Sequence, residues 1–234
     1  MTPQERILTV IRHEKPDRIP CDFWGTPEVI EGLKKHLGVA EDVELWKTLG
    51  IDTIVNLTPS VLWVPVSRFY VGPPLPEDRD IWGVTYQRKT YLQGKATYWE
   101  VKEPPLAHLD TVEAVKTQYT FPQVDWFDFS TLPEECRRYR DYAIECGYMS
   151  PFYTYTTIRG LERAYIDLVE NPEYVHFVLG KIVDFLYALH EKLFEAGRGC
   201  IDIAQVTEDL GTQRGLVMSL KMIEEFLVPH YRRL

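Results

Sequence analysis

The chain has 234 residues, 45% hydrophobic, 13% aromatic and 26% charged, with 26 basic against 35 acidic residues and a net charge of −9. These proportions belong to an ordinary globular protein able to bury a sizeable core, and they argue against a disordered, collagenous or coiled-coil chain. The acidic excess argues against a broad nucleic-acid surface, which needs clustered Lys and Arg, and no run approaches the roughly 18 apolar residues of a membrane span.

The first predicted element is a helix: Thr2 caps it, Pro3 suits its first position, Glu5 completes a capping box, and Ile7, Leu8, Val10 and Ile11 form its apolar face. Pro16 ends that segment. Residues 18–24 then read as a short strand opening into Gly25. Thr26-Pro27-Glu28 starts a second helix that Gly38 stops, and a third helix over 42–49 leads through Gly50 into a buried strand at 52–57. Alternation of helix and strand in this order is α/β grammar.

Residues 80–107 break the pattern. Trp82, Val84 and Tyr86 alternate with polar neighbours, as do Thr97, Trp99 and Val101 after Gly94, which predicts a β-hairpin inserted in a single domain spanning 1–234. Pro73, Pro74 and Pro76 on one side and Pro104 and Pro105 on the other mark its borders. A second capping box at Thr131-Leu132-Pro133-Glu134 and a third strand at 143–149 follow. Pro172 opens a long helix in which Val175, Val178, Leu179, Ile182, Val183, Leu186 and Leu193 keep helical spacing up to Gly197. A fourth strand at 201–206 precedes a last helix capped by Ser219. About four strand–helix units are present where a closed (β/α)8 barrel needs eight; spacing leaves both an open sheet and a partial barrel standing.

Active sites of parallel α/β folds collect at the carboxyl ends of strands. Three loops therefore hold the candidates. The first carries Asp22 and Trp24 and the second Asn56. The third is Thr207-Glu208-Asp209-Leu210-Gly211-Thr212-Gln213-Arg214-Gly215. Glu208 and Asp209 are the candidate catalytic carboxylates; Asp22, Trp24, Asn56, Gln213 and Arg214 are candidate substrate-binding residues, with Tyr153 from the aromatic cluster Tyr148, Tyr153 and Tyr155. The opposing reading has Asp209 capping a turn and Arg214 paired with Glu208 on a solvated surface. The six histidines show no metal-ligand spacing, and the four cysteines form no CxxC pair and read as buried and inert, so no metal is expected within the chain. Dinucleotide, P-loop and serine-hydrolase motifs are absent from the sequence.

Glu5-Arg6-Ile7 with Arg12-His13-Glu14-Lys15-Pro16-Asp17-Arg18-Ile19-Pro20 resembles the opening of the uroporphyrinogen decarboxylase superfamily. So do Glu208 to Gly215, Met218-Ser219 and Phe226-Leu227-Val228-Pro229-His230-Tyr231. The resemblance implies a TIM-type (β/α)8 barrel of which this chain holds roughly the first half to two thirds. Decarboxylases of the superfamily use an arginine-rich loop after the first strand and an aspartate after the second. This sequence has no Arg between Ile19 and Ser67 and no Asp or Glu between Thr53 and Pro76. A substrate with many carboxylates calls for guanidinium forks, and Asp22 would repel it.

The other branch resembles cobamide-dependent methyltransferases, in which a zinc ion activates the methyl acceptor. By that resemblance the zinc ligands would fall beyond Leu234, this chain alone would be inactive, and a corrinoid would enter as substrate or on a partner protein. The expected partners are a small-molecule, tetrapyrrole or corrinoid substrate and a corrinoid protein, with a homo-oligomer open and neither nucleic acid nor membrane. The amino terminus lacks a signal-peptide layout, so the cytoplasm is the expected compartment. The alternatives are uroporphyrinogen decarboxylation proper, or an inactive binding or assembly fragment.

Overall fold

The computed structural model describes residues 1–66, 69–91 and 96–234. Helix α1 (Pro3–Ile11) begins as its sequence dictates: the Thr2 hydroxyl accepts from Glu5 N at 3.1 Å while the Glu5 carboxylate accepts from Thr2 N at 2.8 Å. Helices α2 (Pro27–Leu37) and α3 (Asp42–Leu49) end at Gly38 and Gly50, which take the left-handed conformation at φ +69° and +67°.

Residues 18–24, expected as the first strand, are irregular. The reason is a carboxylate clasp. Buried Asp52 accepts from Arg6, from Arg18 at 2.6 and 3.0 Å, and from Cys21 N at 3.0 Å, and its own N–H donates to Cys21 O at 2.7 Å. Arg6 forks onto Asp17 at 2.6 and 2.9 Å. Polar groups tied to one side chain in this way do not line up along a ladder. The motif residues Arg6, Asp17 and Arg18 are thus structural. The strand expected over 52–57 contracts to β1 (Ile54–Asn56).

Two compact units emerge from the chain: Met1–Thr58 with Ser130–Gly147 and Leu193–Gln205, and Pro59–Phe129 with Tyr148–Lys192 and Val206–Leu234. The first unit holds α1 to α3, β1 and α5 (Leu132–Arg138). Thr131 does not form the expected capping box, because it already has helical backbone angles (φ −87°, ψ −9°) and its side chain makes no cap bond. Strand β1 pairs in parallel with β4 (Ala143–Met149), Ile54 opposite Ala143 and Asn56 opposite Glu145. Strand β5 (Ile203–Val206) lies on the other side of β4, giving a sheet ordered β1-β4-β5. Leu45, Val55, Leu57, Leu132, Ala143, Ile144 and Cys146 are buried around it.

The second unit contains the hairpin of β2 (Thr85–Tyr91) and β3 (Ala96–Glu103), antiparallel with a bulge at Thr85 and Tyr86. The expected turn residue, Gly94, lies outside the described residues. Helices α4 (Val112–Gln118), α6 (Pro151–Arg159), α7 (Leu161–Glu170) and α8 (Pro172–Ala196) come next in chain order. The periodic apolar residues of α8, from Val175 to Leu193, are at most 1% exposed. Helix α6 escapes a sequence reading because Tyr153, Tyr155, Thr156, Thr157 and Ile158 favour strands locally; eight of its nine residues are buried, and tertiary packing decides its form. The chain ends in β6 (Gly211–Thr212), β7 (Gly215–Leu216) and a helix from Leu220 to Tyr231 interrupted by a π-helical turn at Ile223–Leu227. Ser219 caps that helix, accepting from Met222 N at 3.2 Å. The fold is mixed α/β with a parallel sheet and helices, and among the described residues the strands of this sheet do not close into a barrel.

Candidate functional site

Strands β4 and β5 end at Met149 and Val206, and the Thr207 N–H donates to Met149 O at 2.9 Å, so the loops leaving both strands start side by side. From one loop comes the start of α6; from the other comes Glu208. Ser150 provides no side-chain cap for α6. Glu208 does it instead: its Oε1 accepts from Phe152 N at 2.6 Å and its Oε2 from Tyr153 N at 2.9 Å. Oε1 also accepts from the Tyr231 hydroxyl at 2.5 Å. These backbone donors belong to the first turn of a helix, where a negative charge is favoured.

Burial pushes the Glu208 carboxyl above the ordinary range, and the donors Tyr231, Phe152 and Tyr153 draw it part of the way back. The Tyr231 hydroxyl is held far up by burial and then by the Glu208 charge. Asp209, the next residue, is exposed.

Above this cap opens a cleft of about 640 Å³, within the size range of small-molecule sites. Phe152, Tyr153 and Thr156 of α6 form one part of its wall, Leu161 and Tyr165 of α7 another, and Glu208, Asp209, Gly211, Thr212 and Val217 complete it. Among the described residues no Lys, Arg or His lines it. Its rings are held by others: Phe152 meets Tyr165 edge-on at 5.6 Å between centroids, and Trp63 lies 6.4 Å from Tyr153. Burial raises the hydroxyls of Tyr153 and Tyr165, and the Asp209 charge raises both further.

Of the residues singled out from sequence, Glu208, Asp209 and Tyr153 come together in this cleft. Gln213 and Arg214 form the exposed two-residue tip of the β6–β7 hairpin, where the Thr212 hydroxyl accepts from Arg214 N at 3.1 Å and donates to Gly215 O at 2.9 Å. Arg214 therefore has a turn to build, and Glu208 takes other partners. Asp22, Trp24 and Asn56 belong to the first unit. Asp22 is exposed and Trp24 is 93% exposed on the irregular segment. Asn56 closes the end of β1, its Oδ1 accepting from Thr58 N at 2.8 Å and its Nδ2 donating to Glu145 at 3.3 Å. Tyr155 is core, its hydroxyl bonded to Asp167 at 3.2 Å, while Tyr148 is half exposed.

Sequence reasoning missed Phe152, Thr156, Leu161 and Tyr165: helix α6 carries no clean apolar period, whereas the helical spacing of Leu161, Ala164, Tyr165 and Leu168 in α7 is a signal that could have found that helix. Tyr231 lies in a motif quoted above for the family resemblance, yet nothing in its spacing points to Glu208. Among the described residues no group of three or more His, Cys, Asp or Glu side chains could hold a metal ion.

No family model matches the chain, and no curated protein matches it. Among solved structures, a methyltransferase from Methanosarcina mazei resembles it with a TM-score of 0.58 at 14% identity, over 100% of this chain and 66% of that one. The chain thus spans just under two thirds of that structure's length, and the likeness is one of fold.

Proposed function

We propose that this chain is the substrate-holding part of a corrinoid-linked methyltransferase of the uroporphyrinogen decarboxylase superfamily, on a TIM-type barrel to which its open sheet contributes. The observation that carries the reading is the cleft at the carboxyl ends of β4 and β5, lined by two carboxylates and several rings and by no Lys, Arg or His. Such a wall opposes a substrate with many carboxylates, which sets the decarboxylase reading aside. The methyltransferase from Methanosarcina mazei, whose fold the chain shares, is in keeping with a methyl-transfer reading.

In this reading the two carboxylates have separate tasks, Asp209 as the catalytic one and Glu208 as a positioning residue. Glu208 has its oxygens occupied by α6 and Tyr231, so it fixes the floor of the cleft and the start of the aromatic wall. Asp209 is exposed beside that floor and is the carboxylate that meets the ligand. Tyr153 and Tyr165 orient the ligand and keep water from one side of it. Gln213 and Arg214, at the exposed hairpin tip, serve a partner carrying the corrinoid. Asp22, Trp24 and Asn56 are assigned to substrate contacts made outside this cleft.

Zinc does not fit the described residues. They offer no group of three ligands, and burial pushes the thiols of Cys136 and Cys146 up to about 11 and about 12, which keeps both protonated near neutrality. No step is therefore assigned to a metal on these residues.

The test is to incubate the protein that carries this chain with methylcobalamin and a panel of small thiols, following the corrinoid absorbance. Demethylation is expected, with Asp209→Asn slowing it about tenfold or more. Formation of coproporphyrinogen from uroporphyrinogen, without corrinoid demethylation, would overturn the reading.

A further inference from the structure

The cleft also has a charge and a texture, and together they select a ligand class. Its fixed charge is negative. One carboxylate, Glu208, is turned into the protein by Phe152 N, Tyr153 N and the Tyr231 hydroxyl. The other, Asp209, stays at the exposed rim. The wall is aromatic, supplied by Phe152 and Tyr153 from α6 and by Tyr165 from α7. Two of those rings brace each other edge-on at 5.6 Å, so the wall stands without a ligand. Rings beside a carboxylate suit a cation whose charge is spread over methyl groups: the ring faces attract it, the methyl groups bury apolar surface, and the carboxylate completes the neutralisation. An anion meets repulsion here, and a neutral apolar molecule of the same shape gains only the burial. A primary ammonium suits the cleft less well, because it asks for several acceptors and three bonds from the protein already take most of those on Glu208.

The geometry points to a small methylated ammonium, quaternary or nearly so, as the ligand of the cleft formed by Tyr153, Tyr165, Phe152 and Asp209. The inference rests on the reading of this cleft as the small-molecule site of the proposed methyltransferase and names the class of compound that the site holds.

The experiment compares choline with 3,3-dimethylbutan-1-ol, its neutral counterpart of the same shape, by titration calorimetry on the protein that carries this chain. Choline binds about tenfold tighter or better at low salt, and the difference shrinks as salt rises. Tyr165→Leu weakens choline binding about 3- to 30-fold, whereas Tyr165→Phe, which keeps the ring, stays within about twofold of the original. Asp209→Lys, at an exposed position that does not threaten folding, abolishes choline binding and removes its advantage over the neutral alcohol. Equal affinity for the two compounds, no choline binding by protein with an intact circular dichroism spectrum, or an Asp209→Lys variant that binds choline as before would each overturn the inference. The two readings fail separately. Choline binding without corrinoid demethylation upholds the cation site and removes the methyltransferase; demethylation by thiols with no preference for the cation does the reverse.

Discussion

Glu208 closes three hydrogen bonds at once, and its removal would leave two helix donors and one buried hydroxyl without their acceptor. Glu208→Ala should therefore cost about 1–3 kcal/mol, read as a lower urea midpoint with an unchanged slope. Asp80 offers a second test. It is 1% exposed, accepts from Trp82 N, Val84 N and the Tyr86 hydroxyl, and burial pushes its carboxyl up to about 6. An acid raised in the folded state favours folding below its unfolded value and loses that contribution as pH rises through about 6. Asp80→Asn keeps the shape and removes the titration. Relative to the unaltered protein it should gain about 3 kcal/mol of stability between pH 4 and pH 7, measured by urea unfolding at each pH. The clasp runs the other way. Asp17 is held low by its bond from Arg6, and at Asp52 the bonds from Cys21 N, Arg18 and Arg6 outweigh a desolvation that pushes upward. Stability from these two carboxylates is present above the ordinary carboxylate range and is lost as pH falls toward their lowered values.

Among the elements, α6 and α7 meet at Gly160, whose φ of +90° and ψ of +132° suit a residue without a Cβ. Gly160→Ala should destabilise by about 1–3 kcal/mol and blunt cleft binding, since the joint sets Tyr165 against Phe152. The periodic apolar face of helix α8 is at most 1% exposed, and Leu179→Ala within it should cost about 2–5 kcal/mol, visible as a lower thermal midpoint. The elements also mark what sequence can reveal. Helix α8 was legible because its burial repeats at the helical period, and α1 because Thr2 and Glu5 satisfy each other within one turn. The β2–β3 hairpin was legible in part: Thr97, Trp99 and Val101 lie in β3, but of the first alternating run only Tyr86 lies in β2, Trp82 and Val84 being buried ahead of it. Helix α6 was not, because a helix buried nearly all round shows no amphipathic stripe. Residues 18–24 misled in the opposite sense: their apolar and aromatic content suits a strand, and the Asp52 carboxylate decides otherwise.

For the whole molecule, the net charge of −9 and the acidic cleft act in the same direction. A tetrapyrrole with many carboxylates should bind weakly, and lowering the salt from about 200 to about 20 mM should weaken it further, the opposite of what a guanidinium-lined site gives. Fluorescence titration against the porphyrin checks this.

What the sequence determined by itself was local: which segments carry a helical or strand period, where caps and glycines end them, and that Glu208, Asp209 and Tyr153 lie just after strands. Only the tertiary structure decided that Glu208 caps α6 from 56 residues away, that Tyr165 joins Tyr153 at one cleft, and that Arg6, Asp17, Arg18 and Asp52 form a clasp. The physical reason is that a period or a cap is written within one window of chain. A buried carboxylate, by contrast, takes whichever donors the folded backbone delivers to it, and burial itself makes leaving them unpaired costly.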